Sequence, residues 1–239
     1  NEAADLSIVD LERAASIVEA KGVILERGTH TFSKQIEKWV SQQEDDDDCC
    51  SFAKEALQIS KQQQGSEKSE IVAACRRLVS RLPASFRASV LADALELTES
   101  LTNMCLGVPY LMLQLEVIGN NRCCRWHQDQ YAGRMLITYA GPSTWMCNDQ
   151  DVNFGMFDQC IGVPSELSDP LIVPDYARIH KPPANSVILI KGNEWPGIEH
   201  STNSQGVVHK SPNMRMDEKG NPVVTRFALK VDLSYRPPF

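Results

Sequence analysis

The sequence predicts an α+β fold in which a helical amino-terminal part packs on a β-barrel or sandwich, and three observations predict it. Turn-forming residues are unevenly spread, with residues 1–106 holding one of the 13 prolines and three of the 13 glycines. In that first region apolar residues recur at helical spacing. The second region is a series of short β-rich runs separated by turn residues, with no strand–helix–strand rhythm. A boundary is therefore expected near Gly107, giving a helical N-terminal region over residues 1–106 and a β domain over residues 107–239. Charge changes at the same place, from 12 basic and 18 acidic residues before it to 12 and 13 after it.

Within the first region, Ile8, Leu11, Ala15 and Val18 define one helical stripe, and Val72, Cys75, Val79 and Leu82 define another. Further helices are expected over 32–40, 51–60 and 85–98, the last opened by Ser85 as an N-cap after Pro83. The polar stretches 42–50 and 61–69 read as loops. The short apolar piece from Gly22 to Leu25 is expected to be a strand that joins the sheet of the second region. In that second region strands are expected over 110–118, 134–139, 186–191, 206–210 and 223–233. The turn formers of 217–222 are expected to close the last two into a hairpin. The long connections 147–164 and 170–183 have the length of functional lids.

With 239 residues the chain is long enough to bury a sizeable core without disulfides or a structural metal. The formal charge of -7, the acidic run 44–48 and the absence of a Lys/Arg cluster argue against nucleic acid and anionic membranes as partners. The longest apolar runs, such as 186–190, fall far short of the ~20 residues of a membrane-spanning helix, so a soluble protein is expected. Eight cysteines in irregular spacing, two pairs of them vicinal (Cys49 and Cys50, Cys123 and Cys124), are too few for a disulfide scaffold and suit a reducing intracellular compartment. Asn1 in place of an initiator Met is compatible with a removed targeting segment.

The candidate chemistry lies in the β half, which holds four of the five histidines. In an extended segment residues i and i+2 project to one face, so His127 and Asp129 can present an imidazole nitrogen and a carboxylate to one point. His209 supplies a second imidazole on a later strand. Two histidines and one carboxylate on one face leave three positions open on an octahedral ion, which is the donor set of non-haem Fe(II) oxygenases. Arg226 opens the next strand, where alternation puts it with Ala228 and Lys230 on one face and Phe227, Leu229 and Val231 on the other. Its two-pronged guanidinium suits the far carboxylate of a 2-oxo acid. Arg134 and Tyr139, on an earlier strand, are candidates for reaching a small-molecule substrate or supporting the barrel wall.

The run 124–129 (Cys-Arg-Trp-His-Gln-Asp), the strand ending at 138–142 (Thr-Tyr-Ala-Gly-Pro) and the segments 189–197 and 208–212 resemble the family of unknown function catalogued as DUF1826. A second resemblance is to the 2-oxoglutarate/Fe(II) dioxygenases. His127, Asp129, the strand 186–190, His209 and Arg226 follow the order of that family's motif. It implies a double-stranded β-helix (cupin-like, jelly-roll) barrel, Fe2+ with 2-oxoglutarate as cofactors, and hydroxylation of an organic substrate. The seventeen-residue gap from His209 to Arg226 is longer than the family's, which leaves Arg215 as a competing anchor for the co-substrate.

Several alternatives stand beside this expectation. The same triad with Zn2+ and one open position would make a hydratase or hydrolase of the carbonic anhydrase kind. A non-enzymatic metal-homeostasis protein would instead use the vicinal cysteines and the acidic run. His200 is the rival third ligand, His180 reads as a surface residue and His30 as isolated in the helical region. Cys123 and Cys124 precede His127 closely enough to be thiolate or redox candidates, and Trp126, Trp145 and Trp195 read first as core.

Overall fold

A computed structural model of the chain describes residues 7–17, 19–43, 51–59, 64–118, 124–197, 206–213, 218–219 and 226–237. The helical elements are α1 (Ile8–Ala15), α2 (Ser33–Val40), α3 (Gln64–Leu78), α4 (Ala84–Met104), α5 (Phe154–Gln159) and α6 (Ser165–Ile172). The strands are β1 (Gly22–Leu25), β2 (Ser51–Gln58), β3 (Tyr110–Ile118), β4 (Gly133–Ala140), β5 (Trp145–Cys147), β6 (Ile179–His180), β7 (Val187–Lys191), β8 (Val208–Lys210) and β9 (Arg226–Ser234). Six strands form one sheet in the order β1-β7-β4-β9-β3-β2, and three form a second in the order β6-β5-β8. Every pairing within them is antiparallel.

Alternation along the strands gives the large sheet two different faces. Leu111, Leu113, Leu115, Met135, Ile137, Tyr139, Leu189, Phe227, Leu229 and Val231 point one way, into the main core under α1 to α4. Trp39 of α2 is central there, its ring edge-on to Phe52, Phe86 and Phe227 at 5.3, 5.6 and 5.1 Å. On the other face Leu136, Ile188 and Ile190 meet Met146 and Val207 of the small sheet, so the two sheets pack face to face. The outer side of the small sheet carries a third apolar cluster in which Trp126, Cys147 and Val208 pack against Cys160, Ile172 and Val173 from the segment of α5 and α6.

Most of the expected elements appear. The fold is mixed α and β with antiparallel sheets, β1 joins β7 as anticipated, and β3 has the expected bounds. Five expectations are corrected. Residues 51–58 are strand β2, not a helix, because the free edge of β3 offers a row of backbone donors and acceptors. Pairing there outweighs the helix preference of Ala53, Lys54, Glu55 and Ala56, and it points Glu55 at Arg77 of α3, 2.7 Å away. The polar run 61–69 is not all loop, since α3 begins at Gln64. Helix α4 starts one residue before Ser85, with Pro83 at the N-cap, and runs on to Met104. Strands β8 and β9 do not make a hairpin: β9 is flanked on both sides by β3 and β4, and β8 pairs with β5. Of the two connections expected as lids, 147–164 contains α5 and 170–183 contains the end of α6 and β6, and residues of both pack on the outer side of the small sheet. Residues 44–50 of the loop expected at 42–50, including Cys49 and Cys50, lie outside the described residues, as does Val18. No helix among the described residues is long and apolar enough to cross a membrane.

A buried polar cluster ties the amino-terminal segment to the sheet. Arg27 donates to Asp93 at 2.7 Å and to the Asn185 carbonyl at 3.0 Å, and Tyr139 donates its hydroxyl to Asp93 at 2.7 Å. His30 Nε2 stands 3.8 Å from Asp93, an ion-pair distance, not a hydrogen bond. Burial alone would raise the Asp93 carboxyl, but His30, Arg27 and Tyr139 outweigh it and hold the group below its ordinary value of 3.8. A carboxyl lowered in the folded state stabilises the fold above its unfolded value and loses that contribution as pH falls through the folded one. Asp93→Asn should therefore cost about 3 kcal/mol near neutral pH. The gap to the parent chain should close below pH 3.8, measured by urea unfolding across the acid range. A constant gap down to pH 2 would contradict the assignment.

Candidate metal centre

His127 and His209 are brought together by backbone geometry. They face each other in an isolated antiparallel bridge, each amide donating to the other's carbonyl at 2.9 Å. Directly opposed residues of an antiparallel pair project to the same face, and here the imidazole centroids lie 4.3 Å apart. Asp129 follows two residues after His127 and turns its carboxylate to the same point. Its Oδ1 is 3.7 Å from His127 Nε2, and its Oδ2 is 3.4 Å from His209 Nε2. One ligand atom from each of the three residues lies within 4.8 Å of the other two, and this is the one group of three or more such side chains found among the described residues.

The proton positions suit a cation. His127 Nδ1 is 2.8 Å from the Arg125 carbonyl, and His209 Nδ1 is 3.1 Å from the Val207 carbonyl. A carbonyl only accepts, so each Nδ1 carries the proton and each Nε2 is left with its lone pair toward Asp129. His209 Nε2 is buried and has no hydrogen-bond partner, whereas Asp129 Oδ2 is met by an ion pair with Arg134 at 2.7 Å. A buried acceptor without a donor is costly unless something positive sits beside it. Burial, followed by the neighbouring His209, pushes His127 down to about 4, which keeps it neutral and able to ligate. Burial would raise the Asp129 carboxyl, but Arg134 and the two imidazoles hold it far below the usual carboxylate range. The donor chemistry, the free lone pairs and the fixed tautomers all fit one divalent metal ion.

Residues flanking the triad anchor it from behind. Alternation sends Trp126 and Lys210 to the opposite side from His127 and His209, and Lys210 pairs there with Asp169 of α6 and lies over the rings of Trp126 and Trp145. The Trp126 amide also points to Asp169, at 3.4 Å, and Arg125 donates to the Phe157 carbonyl at 2.8 Å. The turn after β7 clamps the other side. Gly192 N donates to the Ala132 carbonyl and Asn193 N to the Asp129 carbonyl, while the Asn193 side chain accepts from Gly206 N at 2.8 Å. One short turn thus holds the chain at Asp129 and the approach to His209.

The other expected site residues divide. Arg134 joins the cluster, its Nη1 2.7 Å from Asp129 Oδ2. Arg226 lies on the inner face of β9, buried, and donates to Ser211 at 3.0 Å and Thr144 at 2.8 Å. Ser211 is two residues beyond His209, so Arg226 reaches a point roughly 7 Å along the strand from the second imidazole. Tyr139 is the correction: odd positions of β4 face the helices, and its hydroxyl is spent on Asp93. Burial and that carboxylate push the phenol well up, so it is no proton donor to the triad. Cys124 is turned toward Ser165 at 3.2 Å and takes no part in the cluster. His180 is half-buried in β6, and His30 belongs to the Asp93 cluster. Arg215, His200 and Cys123 lie outside the described residues. Asp232, Asp169, Thr144 and Ser211 were not anticipated. The alternation of Arg226 through Asp232 on β9 was the available signal for Asp232.

Comparison with known proteins assigns a family. The profile described as Protein of unknown function (DUF1826) matches residues 22–232. The chain belongs to the DUF1826 family. A search of curated proteins found no match. Among solved structures, a full-length Neurospora crassa protein in complex with alpha-KG is similar over 98% of this chain and 82% of that one, at 10% identity and a TM-score of 0.36. A Shewanella oneidensis protein assigned as an oxygenase aligns over 98% and 87%, at 12% identity and a TM-score of 0.36. A 2OG-Fe(II) oxygenase family protein from Caulobacter crescentus aligns over 96% and 68%, at 11% identity and a TM-score of 0.31. Scores of this size mark a loose likeness only.

Gly192 offers a direct test of the clamp on this DUF1826 chain. A Cβ added there would lie 1.9 Å from the Tyr131 carbonyl oxygen, which cannot be accommodated without moving the backbone next to Asp129. Gly192→Ala should destabilise the protein by roughly 3 kcal/mol. Gly197→Ala, at φ +82 with open space around it, should cost only about 1 kcal/mol. Equal losses in thermal unfolding would show that the turn does not carry the site.

Proposed function

We propose that this DUF1826 protein is a mononuclear metal enzyme of the 2-oxoglutarate/Fe(II) dioxygenase type, with His127, Asp129 and His209 as ligands and Arg226 as the anchor of the 2-oxo acid. The observation that carries the reading is the convergence of two Nε2 lone pairs and one carboxylate whose other atoms are already committed. Two nitrogens and one oxygen without a thiolate favour Fe(II) over a structural zinc site. In this reading residues 107–239 form the metal-binding domain, supported by the helical region of residues 1–106. The order of pairing supports a double-stranded β-helix: from β3 onward the chain visits the large sheet, the His127 bridge, β4, β5, β6, β7, β8 and β9, alternating between sheets except at β5 and β6, which are consecutive in the small one.

Bound Fe(II), with a 2-oxo acid and O2, would supply the oxidising chemistry for an organic substrate. The chain's own residues do the rest. His127 and His209 hold neutral Nε2 donors in place through their Nδ1–carbonyl bonds. Arg226 presents a buried guanidinium, lined by Thr138, Thr144 and Ser211, to the far carboxylate of the co-substrate. The apolar wall of Leu136, Ile188, Ile190 and Met146 excludes water between the sheets.

The test is anaerobic titration with Fe(II) and Zn(II) followed by 2-oxoglutarate consumption. One Fe(II) per chain with oxoglutarate turnover is expected, and His209→Ala should abolish stoichiometric metal. Arg226→Met should keep the metal and weaken 2-oxoglutarate binding by roughly 30-fold. Tightly held zinc with hydration or ester cleavage would transfer the triad to the zinc-hydratase reading. Unchanged metal content in the His209 variant would reject the ligand assignment.

A further inference from the structure

We propose that Arg134, backed by Asp232, is a positioning residue that confines Asp129 to a single metal-facing oxygen and so preserves three open coordination positions on the ion. This inference rests on the reading of His127, Asp129 and His209 as ligands. Arg134 and Asp232 are directly opposite each other on β4 and β9. The Nε and Nη2 edge of the guanidinium grips both carboxylate oxygens of Asp232, at 2.6 and 3.1 Å. The remaining Nη1 lies 2.7 Å from Asp129 Oδ2. Arg134 and Asp232 are both nearly withdrawn from solvent, with side-chain exposures of 11% and 1%. The Tyr131 ring covers the guanidinium carbon at 5.1 Å.

A plainer account would have Arg134 only neutralise a buried Asp232. That account leaves the third nitrogen unexplained, because the two-pronged contact already satisfies Asp232. Its placement on one oxygen of a proposed metal ligand has a chemical consequence. A carboxylate with both oxygens free can chelate a cation through both and occupy two positions, as bidentate carboxylates do at calcium. With Oδ2 held by the guanidinium, Asp129 donates through Oδ1 alone. Three positions then remain for a bidentate co-substrate and O2, whereas a chelating Asp129 would leave two. Lysine could not substitute, because a single ammonium on a flexible stem lacks the fixed fork that spans both carboxylates.

Mn(II) serves as the probe, since its inner-sphere waters can be counted by pulsed electron paramagnetic resonance in deuterated water. The parent chain should bind one Mn(II) with three waters. Arg134→Leu combined with Asp232→Leu removes the guanidinium without stranding a buried carboxylate, and should still bind one Mn(II) but with two waters, a fall of about one third. Asp232→Asn, which leaves Arg134 on Asp129, should keep three. Three waters in the folded double variant would overturn the inference while leaving the ligand assignment intact. If that variant fails to fold, Arg134→Lys decides: two waters support the fork's role and three refute it. A parent chain that takes up no Mn(II) would sink both the metal reading and this inference, whereas one Mn(II) with two waters in the parent would sink the inference alone.

Discussion

The candidate site depends first on a two-residue backbone contact, the bridge in which His127 and His209 exchange hydrogen bonds of 2.9 Å. Without it the two segments would have no fixed register, and a slip of one residue in either would send that segment's imidazole to the outer face and bring Trp126 or Lys210 inward. The slip is opposed from both sides. Outward, Trp126 and Lys210 are fixed by apolar packing and by Asp169, and inward, Met146 of β5 stands directly beside His209 in the ladder. The chemistry on one face is therefore specified by packing on the other.

That arrangement explains how a buried polar centre is tolerated. The two faces of the large sheet each carry a polar group set in apolar surroundings, Asp93 with Arg27 and Tyr139 under the helices, and Asp129 with Arg134 and Asp232 between the sheets. Isolated, either carboxylate would be too costly to bury. Each is compensated by an arginine, but the two carboxylates are met differently. The Asp93 carboxylate is met by hydrogen bonds from Arg27 and Tyr139, so its work is structural. At Asp129, Oδ2 is met by the Arg134 guanidinium, while the facing His209 Nε2 is buried without a hydrogen bond, which marks the cluster as a place for a ligand.

Much of this was legible because it follows local periodicity. The i, i+2 relation of His127 and Asp129 needs only an extended backbone, and the inward face of Arg226, Ala228 and Lys230 needs only alternation along β9. The less legible features depend on distant partners. Residues 53–56 carry helix-forming side chains, and only the open edge of β3 makes them a strand. The hairpin expected from the turn formers at 217–222 was overruled because β4 competes for the edge of β9. Tyr139 sits one position from Thr138 and so takes the other face of the sheet. The same alternation that identified Arg226 assigns Tyr139 to the helix side, once Arg134 is placed inward.

The segment of α5 and α6 shows how length alone misleads about function. Connections as long as 147–164 and 170–183 are often lids, but a lid must open, and an opening element is drawn from the weakly packed regions of a structure. Here Cys160, Ile172 and Val173 are buried against the reverse of the strands that carry the imidazoles, and Asp169 bonds both to Lys210 and toward the Trp126 amide. Moving α6 would break the ion pair and expose the apolar cluster beneath it. The segment is thus a buttress, and its stiffness passes through Trp126 and Lys210 to the two residues that must present lone pairs to one point. The centre is more open on the side of His127, whose side chain is 30% exposed while that of His209 is 3%. That difference orients the centre: the buried imidazole forms its floor, and the exposed one borders its mouth.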